Sequence, residues 1–385
     1  MIDSNQILGG ISLKKIIVKP VGMFELFYDL VFVYAISLIT AMIHHPVNGS
    51  IPLVTFLQFL LVVIVVMQIW LYQVIYFNRY SKNRFLDIGG LVLNMFVAVY
   101  LANNINTEWR ITFHYFNIAM AVMILILFCQ YLFVKADNND KQAFLIILGL
   151  EFILIILGLE FILIILGLII GYPVGIYFCI SGYIVGFILP LFLKGMFKAE
   201  RVNFPHLVER VSLIVIIAFG EAIVNLTSYF NSKTPLVYAA FLFLSLVLMF
   251  ASYVVLSDEL IDHHQISKGF ILMYSHIAIV VAILLSTVAI LYLQVQNINK
   301  TFLFFLIIFS IALYYFLLAI NQVYNKSECR FSIRNLLTLL LIFALGVSYL
   351  WVVIKSKIGI SICLLIWNLL FFLEFYIKGN KNEFR

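Results

Sequence analysis

The chain has 385 residues, of which 64% are hydrophobic and only 11% are charged, whereas soluble domains contain about 25% charged residues. This composition excludes a soluble globular protein, and its apolar residues are enough for roughly ten to twelve membrane-spanning helices. The cations behind the formal net charge of +6 are scattered between apolar segments, so they predict membrane topology and not nucleic-acid binding.

Apolar runs separated by short polar breaks predict an all-α integral membrane protein with about twelve transmembrane helices. These runs are too long and too continuously apolar for barrel strands, and helices satisfy every backbone group inside lipid. The predicted spans are 24–43, 52–77, 86–102, 111–134, 143–170, 174–193, 207–229, 236–256, 270–293, 301–324, 336–353 and 358–377.

The loop cations predict the orientation of these spans. With the N-terminus inside, the inner segments hold most of the 24 Lys and Arg residues. The outer segments hold only Arg110, Lys233, Lys300, Lys355 and Lys357. By the positive-inside rule, both termini are predicted to be cytoplasmic.

The first and seventh spans carry charged residues at helical spacing. Glu25 and Asp29 are four residues apart, so they share one face of the first span and require a cation in lipid. The seventh span supplies Arg210, which follows Glu209 directly and His206 by one turn. We expect Arg210 to pair with Asp29 or Glu25. Two interpretations stay open: a structural ion-pair network that includes Glu209, or a functional gate.

The fifth span contains a near-exact nonapeptide tandem, in which residues 143–169 read AFLIILGLE, FILIILGLE and FILIILGLI. Its period is too short for a solenoid of folded units. Nine residues make about two and a half helical turns, so Glu151 and Glu160 are predicted to lie on opposite faces. They are either a proton-carrying pair or two tolerated charges in an overlong helix that tilts or lets them reach the interface.

Deeper in the seventh span, Glu221 lies about three turns from Arg210 on the same face. Gly220 beside it permits close helix approach, and the surrounding Ile and Val residues offer no counter-ion, so Glu221 is predicted to be functional. His276 in the ninth span is either part of a proton relay or a hydrogen-bonded core histidine. The apolar runs also contain amides predicted to join helices by hydrogen bonds, namely Gln68, Gln73, Asn94 and Asn117.

No metal or cofactor site is predicted. The four cysteines lack CxxC or CxxH spacing, and the loop 258–264 contains histidines and carboxylates without a second closed set of ligands. A long glycine-rich phosphate loop is also missing from the sequence, which argues against ATP-driven pumping by this chain.

Two strings carry a family resemblance: ELFYDLVFVYAI at 25–36, and HLVER followed by LIVIIAFGEAIV at 206–224. They resemble the two signature segments of the bacterial low temperature requirement protein A family, and the likeness extends to residues 78–80 and 274–276. This resemblance implies a multi-pass bacterial membrane protein, linked by name to growth in the cold, whose molecular activity is not established. The family's acidic cluster after the second span is replaced here by Ser81, Lys82 and Asn83.

Residues 25–37 can be laid without gaps on residues 209–221, six spans later, which suggests a 6+6 parallel repeat. The predicted organisation is a cytoplasmic segment 1–23, a six-helix half 24–193, a linker 194–206, a second half 207–377 and a tail 378–385. In such a repeat the first and seventh spans face each other, which would bring Asp29 near Arg210 and place Glu221 in a central cavity.

These features favour a proton- or ion-coupled secondary transporter in the bacterial cell membrane. The alternatives are a sensor or scaffold for cold growth, and a lipid-modifying enzyme. An enzyme is not expected, because the sequence has neither an HExxH motif nor desaturase-like histidine clusters. The expected partners are membrane lipids and a small solute or ion of unspecified chemistry, and the sequence does not indicate an oligomeric state.

Overall fold

In the computed structural model, residues 18–137, 144–193, 199, 202–231 and 235–380 are described, and they form twelve α-helices and no β-strand. The all-helical prediction is therefore confirmed. The helices are α1 Met23–Ala41, α2 Leu53–Arg79, α3 Phe85–Asn103, α4 Trp109–Asp137, α5 Phe144–Ile170, α6 Gly175–Phe192, α7 Phe204–Leu226, α8 Leu236–Val254, α9 Phe270–Tyr292, α10 Lys300–Ile320, α11 Ile333–Val353 and α12 Lys357–Gly379.

Eleven of the helices in the described ranges are long and apolar enough to cross a membrane. The exception is α7, because every 18-residue window within it contains three charged residues, Glu209, Arg210 and Glu221. Charged residues in a membrane helix face the protein interior and are paired there. For α7 to cross a membrane, its charged side chains therefore require partners within the protein.

The most buried helix is α9. In its most apolar stretch 83% of the residues are buried within the protein, compared with 22% in α11. It packs against α2, α7 and α10 and is apolar on all sides, as expected for a helix surrounded by protein. The lipid-facing helix α11 packs mainly on α12, so the core of the bundle lies around α2, α7 and α9.

The two halves of the chain share a pattern of helix neighbours. In the first half α1 packs on α2 and α3, α3 on α4, α4 on α5, α5 on α6, and α2 on α6. In the second half α7 packs on α8 and α9, α9 on α10, α10 on α11, α11 on α12, and α8 on α12. The helices α1 and α7 contact each other where the halves meet.

The gapless alignment of α1 with α7, however, has the wrong register. It pairs Glu25, which is buried, with Glu209, which is exposed. It also pairs the buried Phe32 with Ile216, which is 47% exposed. Equivalent positions in a repeat present the same face to the core. The alignment that matches the two glutamates instead pairs buried positions of α1 with exposed positions of α7.

Candidate functional site

A charged network lies where α1 meets α7. The guanidinium of Arg210 donates from Nη1 to Glu25 Oε2 at 2.5 Å and from Nη2 to Asp29 Oδ1 at 2.8 Å. All three side chains are almost completely buried. The expected contact between Arg210 and the α1 carboxylates is confirmed, and Arg210 pairs with both of them. The planar fork of an arginine suits this double contact better than a lysine ammonium would.

His206 extends the network by one helical turn. Its Nε2 lies 3.2 Å from Glu25 Oε2, and its Nδ1 lies 3.0 Å from the Asn78 amide nitrogen. The Asn203 backbone N–H donates to Asn78 Oδ1 at 3.2 Å, which turns the Asn78 amide nitrogen toward the histidine. Because that nitrogen is only a donor, Nδ1 accepts and Nε2, on the side of the ring near Glu25, carries the hydrogen.

Trp70 of α2 is a member of the network that the sequence interpretation missed. Its indole N–H donates to Asp29 Oδ1 at 2.7 Å, so this oxygen accepts from both Trp70 and Arg210. Four polar atoms of the network are buried without a hydrogen-bond partner among the described residues, namely Asp29 Oδ2, the Tyr28 hydroxyl, Arg210 Nε and His206 Nε2. Buried polar atoms are usually hydrogen-bonded, so these atoms are available to a ligand, water or proton.

The helix α2 sends buried polar side chains toward several neighbours. Gln68 donates to Glu160 of α5, Trp70 to Asp29 of α1, and Asn78 bonds His206 of α7. The amides predicted to join helices do so: Gln73 accepts from Asn94 at 2.8 Å and donates to Gln130 at 3.2 Å, and Asn117 accepts from Tyr183 at 2.6 Å. The sequence signal for this role was an apolar run interrupted by polar residues at 68, 73 and 78.

Glu221 lies apart from the charged network, about three turns further along α7. It is buried, accepts a hydrogen bond from Asn225 at 2.6 Å, and lies beside Ser37 of α1. No cation pairs with it among the described residues. The structure therefore places Glu221 at the α1–α7 contact, with neutral polar neighbours only.

His276 belongs to a separate hydrogen-bonded chain. Its Nδ1 lies 2.6 Å from the Leu272 carbonyl, so Nδ1 carries the hydrogen. Its Nε2 therefore accepts from the Tyr253 hydroxyl at 3.0 Å, which in turn lies 2.9 Å from Ser212 Oγ. Both ring nitrogens are satisfied, as expected for the hydrogen-bonded core histidine.

Glu209 is exposed and takes no part in the charged network, which corrects the interpretation that included it. Adjacent residues on a helix point about 100° apart, so Glu209 and Arg210 cannot both face α1. Near the same end of the bundle, Lys19 Nζ donates to the carbonyls of Phe77 and Ser81. Burial lowers the pKa of Lys19, and the nearby Glu25 opposes that shift.

The described residues contain no group of three His, Cys, Asp or Glu side chains placed to hold a metal ion. In the loop 258–264, His263 bonds the Ser257 carbonyl at 2.7 Å, and Asp262 accepts from the His264 backbone at 2.9 Å. These side chains are committed to local contacts. The four cysteines are free thiols.

Comparison with known proteins gives one match. The family model described as bacterial low temperature requirement A protein matches residues 20–370 of the 385-residue chain. The matched range includes α1, α7 and every residue of the charged network. No curated protein and no solved structure matches the chain.

Proposed function

The chain belongs to the bacterial low temperature requirement A family, and we propose that it is a proton- or ion-coupled secondary transporter of a small solute. The observation that carries this proposal is the buried contact of Arg210, from the second half of the chain, with Glu25 and Asp29, from the first half. Charged groups inside a membrane protein are costly and mark ion and substrate pathways.

The composition of the network suits binding of a proton or a small cation. It holds two carboxylates and one guanidinium, and the Asp29 Oδ2 atom is buried without a protein partner. A proton on this oxygen, or a cation beside it, would compete with Arg210 for Asp29. Such competition would loosen the contact between the halves when the coupling ion binds. We assign Arg210 and Asp29 to a gate, and His206 to the orientation of Glu25.

The repeated pattern of helix neighbours supports alternating access. Transporters built from two parallel repeats bind substrate near the repeat interface and move by rocking one repeat against the other. Here α1 and α7 meet at the junction of the two halves. Glu221 lies at this junction with only Asn225 and Ser37 as polar neighbours. We assign Glu221 the role of coupling carboxylate.

We further propose that the protein lies in the bacterial cell membrane with both termini in the cytoplasm. The excess of Lys and Arg in alternate loops supports this orientation. Reporter fusions at the C-terminus and at the loop around Asn48 test it. A reporter that is active only in the cytoplasm is expected to be active when fused at the C-terminus. A reporter that is active only outside the cell is expected to be active when fused at Asn48. The reverse pattern would contradict the orientation.

The transport proposal is tested first by ligand binding. The full chain, purified in detergent, is heated in the presence of metabolites, ions and lipid headgroups at two pH values. A ligand at 100 times its Kd stabilises a protein by about 2.7 kcal/mol. We expect a soluble ligand whose stabilisation depends on pH and is lost in Glu221→Gln. Glu209→Gln, an exposed carboxylate on the same helix, is the matched control and should respond as the wild type does.

Transport itself is then measured in proteoliposomes. A ligand identified in the binding experiment is expected to drive proton or cation movement across the vesicle membrane. The Glu221→Gln variant is expected to abolish this movement. A response to lipid headgroups alone would contradict transport and favour a sensor or scaffold. Binding without flux would contradict the coupled mechanism.

A further inference from the structure

A second buried carboxyl lies outside the charged network. Glu160 of α5 is completely buried, which contradicts the interpretation of this residue as a tolerated charge that reaches the membrane interface. Among the described residues its hydrogen-bond partner is the Gln68 amide, which donates from Nε2 to Oε1 at 2.8 Å. No cation pairs with Glu160 among the described residues. The side chain of Glu151, its counterpart in the tandem, lies outside the part of the chain whose side chains are described.

Two oxygens of this pair are left without a donor. Glu160 Oε2 and Gln68 Oε1 are both buried and unpartnered. A carboxylate and an amide oxygen cannot hydrogen-bond each other, because both only accept. A carboxylic acid can, because its O–H is a donor. A proton on Oε2 would therefore give this pair of acceptor oxygens the donor that both of them lack.

The neighbouring donors are already committed. The Tyr72 hydroxyl donates to the Gly186 carbonyl at 2.6 Å, and the Tyr183 hydroxyl donates to Asn117 at 2.6 Å. The Cys179 thiol faces the Ile164 carbonyl at 3.8 Å. These neighbouring hydroxyl and thiol groups thus direct their hydrogens to other acceptors and not to Glu160. Among the described residues, the missing donor is therefore supplied by a proton on Glu160 itself.

Glycines of α6 shape the space around the pair. A Cβ atom built at Gly186 would lie 2.2 Å from both Gln68 Nε2 and Glu160 Oε2. A Cβ atom at Gly182 would lie 3.1 Å from the Glu160 carbonyl oxygen. The helix α6 therefore packs closely on α5 at the carboxyl, and the missing side chain of Gly186 leaves room for the Gln68–Glu160 pair.

Two clefts approach the pair from opposite ends of the bundle. One, of about 40 Å³, starts at the α3–α4 loop near Asn104 and reaches Tyr183. The other, of about 30 Å³, starts near Arg79 at the end of α2 and reaches Gln68 and Gly186. Tyr183 and Gly186 are about one helical turn apart on α6. The Gln68–Glu160 pair thus lies between the ends of the two clefts.

We propose that Glu160 is a proton-binding site, in which the protonated carboxyl forms a reciprocal hydrogen-bonded pair with the Gln68 amide and exchanges its proton through the adjoining clefts. The ligand of this site is the proton. An ionised carboxylate in the same place would be a buried charge without a partner, which is strongly unfavourable in a membrane protein. This inference does not depend on the transport proposal, because it requires only the contacts of α2, α5 and α6.

Infrared spectroscopy of the full purified chain at neutral pH tests the proposal. We expect a carbonyl band of a protonated carboxylic acid that is lost in Glu160→Gln. Transfer to D2O should shift this band, since the clefts let the proton exchange. The matched control is Glu374→Gln: Glu374 also accepts from an amide, Asn335 at 2.8 Å, but is only partly buried at the end of α12. Because this carboxyl is partly exposed, its replacement should remove no acid band.

Two variants keep the test decisive. In Glu160→Gln the new amide can donate to Gln68 Oε1, so the melting temperature should stay at the wild-type value and not rise or fall. In Gln68→Leu the acid remains but loses its partner, so its band should shift and not disappear. An acid band that is unchanged in Glu160→Gln, or a carboxylate band lost in its place, would overturn the proposal.

Discussion

Two of the buried carboxyl sites, one at Asp29 with Glu25 and one at Glu160, differ in how the carboxyl group is accommodated. Asp29 and Glu25 are paired with a cation, because Arg210 of the other half lies within hydrogen-bond distance. Glu160 has no cation and faces the neutral Gln68 amide. A carboxyl group is tolerated in an apolar interior when it is ionised and paired with a cation, or when it is protonated and neutral. The partner therefore decides which of these two states a membrane carboxyl adopts.

One helix serves both sites. Gln68 and Trp70 are two residues apart on α2, so they point about 200° apart and reach opposite sides of the helix. Gln68 contacts Glu160, and Trp70 contacts Asp29. Changing one partner at a time therefore tests how each site accommodates its carboxyl group.

The largest effect is expected for Arg210→Met, which leaves Glu25 and Asp29 as buried charges without a cation. Removing one partner of a buried pair costs about 3–5 kcal/mol. Thermal unfolding in detergent should show a large loss of stability, with a smaller loss in Arg210→Lys because the charge is retained. The triple change Glu25→Gln, Asp29→Asn, Arg210→Met should recover much of the loss. If Arg210→Met were as stable as the wild type, the pairing would not hold the site together.

Trp70→Phe is expected to come next. It removes the N–H that donates to Asp29 Oδ1 at 2.7 Å, and a hydrogen bond to a charged group contributes about 1.5–3 kcal/mol. The same unfolding measurement applies. Trp351→Phe is the control, since Trp351 is 67% exposed and its replacement should change little. Equal effects of the two changes would show that the Trp70 N–H does not stabilise Asp29.

Gly186→Ala acts only on the second site. The added Cβ would lie 2.2 Å from Gln68 Nε2 and Glu160 Oε2, and overpacking of this kind costs about 1–3 kcal/mol. Gly220→Ala is the control, because nothing lies within 4 Å of its Cβ position. It should leave stability unchanged or raise it by up to about 1 kcal/mol. An unaffected Gly186→Ala would mean that the pair tolerates displacement.

The smallest effect is expected for Glu209→Gln. This side chain is exposed and outside the charged network, and exposed substitutions change stability by about 0.5 kcal/mol or less. The variant is measured beside Glu25→Gln, which removes a carboxylate that contacts Arg210. Equal losses in the two variants would contradict the assignment of Glu25, and not Glu209, to the network.

The sequence predicted the helices and one site well because each rests on a strong physical constraint. Lipid admits only long apolar helices, so the apolar runs located the spans. Cations inside spans are rare, so Arg210 was the natural partner for Glu25 and Asp29. The exposure of Glu209 could not be predicted, because the direction in which it points depends on the rotation of α7 against α1. Trp70 looked like a packing residue in an apolar run.

The second site was harder to predict. The fifth span is uniformly rich in Leu and Ile, so no apolar stripe distinguishes a lipid face from a protein face. Nothing local therefore indicates that Glu160 is buried. Its burial follows from the glycines of α6 and from Gln68 of α2, which are distant in sequence and become neighbours only in the folded bundle.

The three charges of α7 also have a consequence for how the protein is made. A charged residue at the centre of a helix costs about 2.5–3.5 kcal/mol on insertion by the translocon, so α7 alone is a poor insertion signal. The carboxylates that neutralise Arg210 are synthesised first, on α1. We therefore expect α7 to enter the bilayer only after the first half has assembled beside the translocon, and an isolated α7 segment to be left outside in an insertion assay. The order of synthesis would then be part of what makes this bundle foldable.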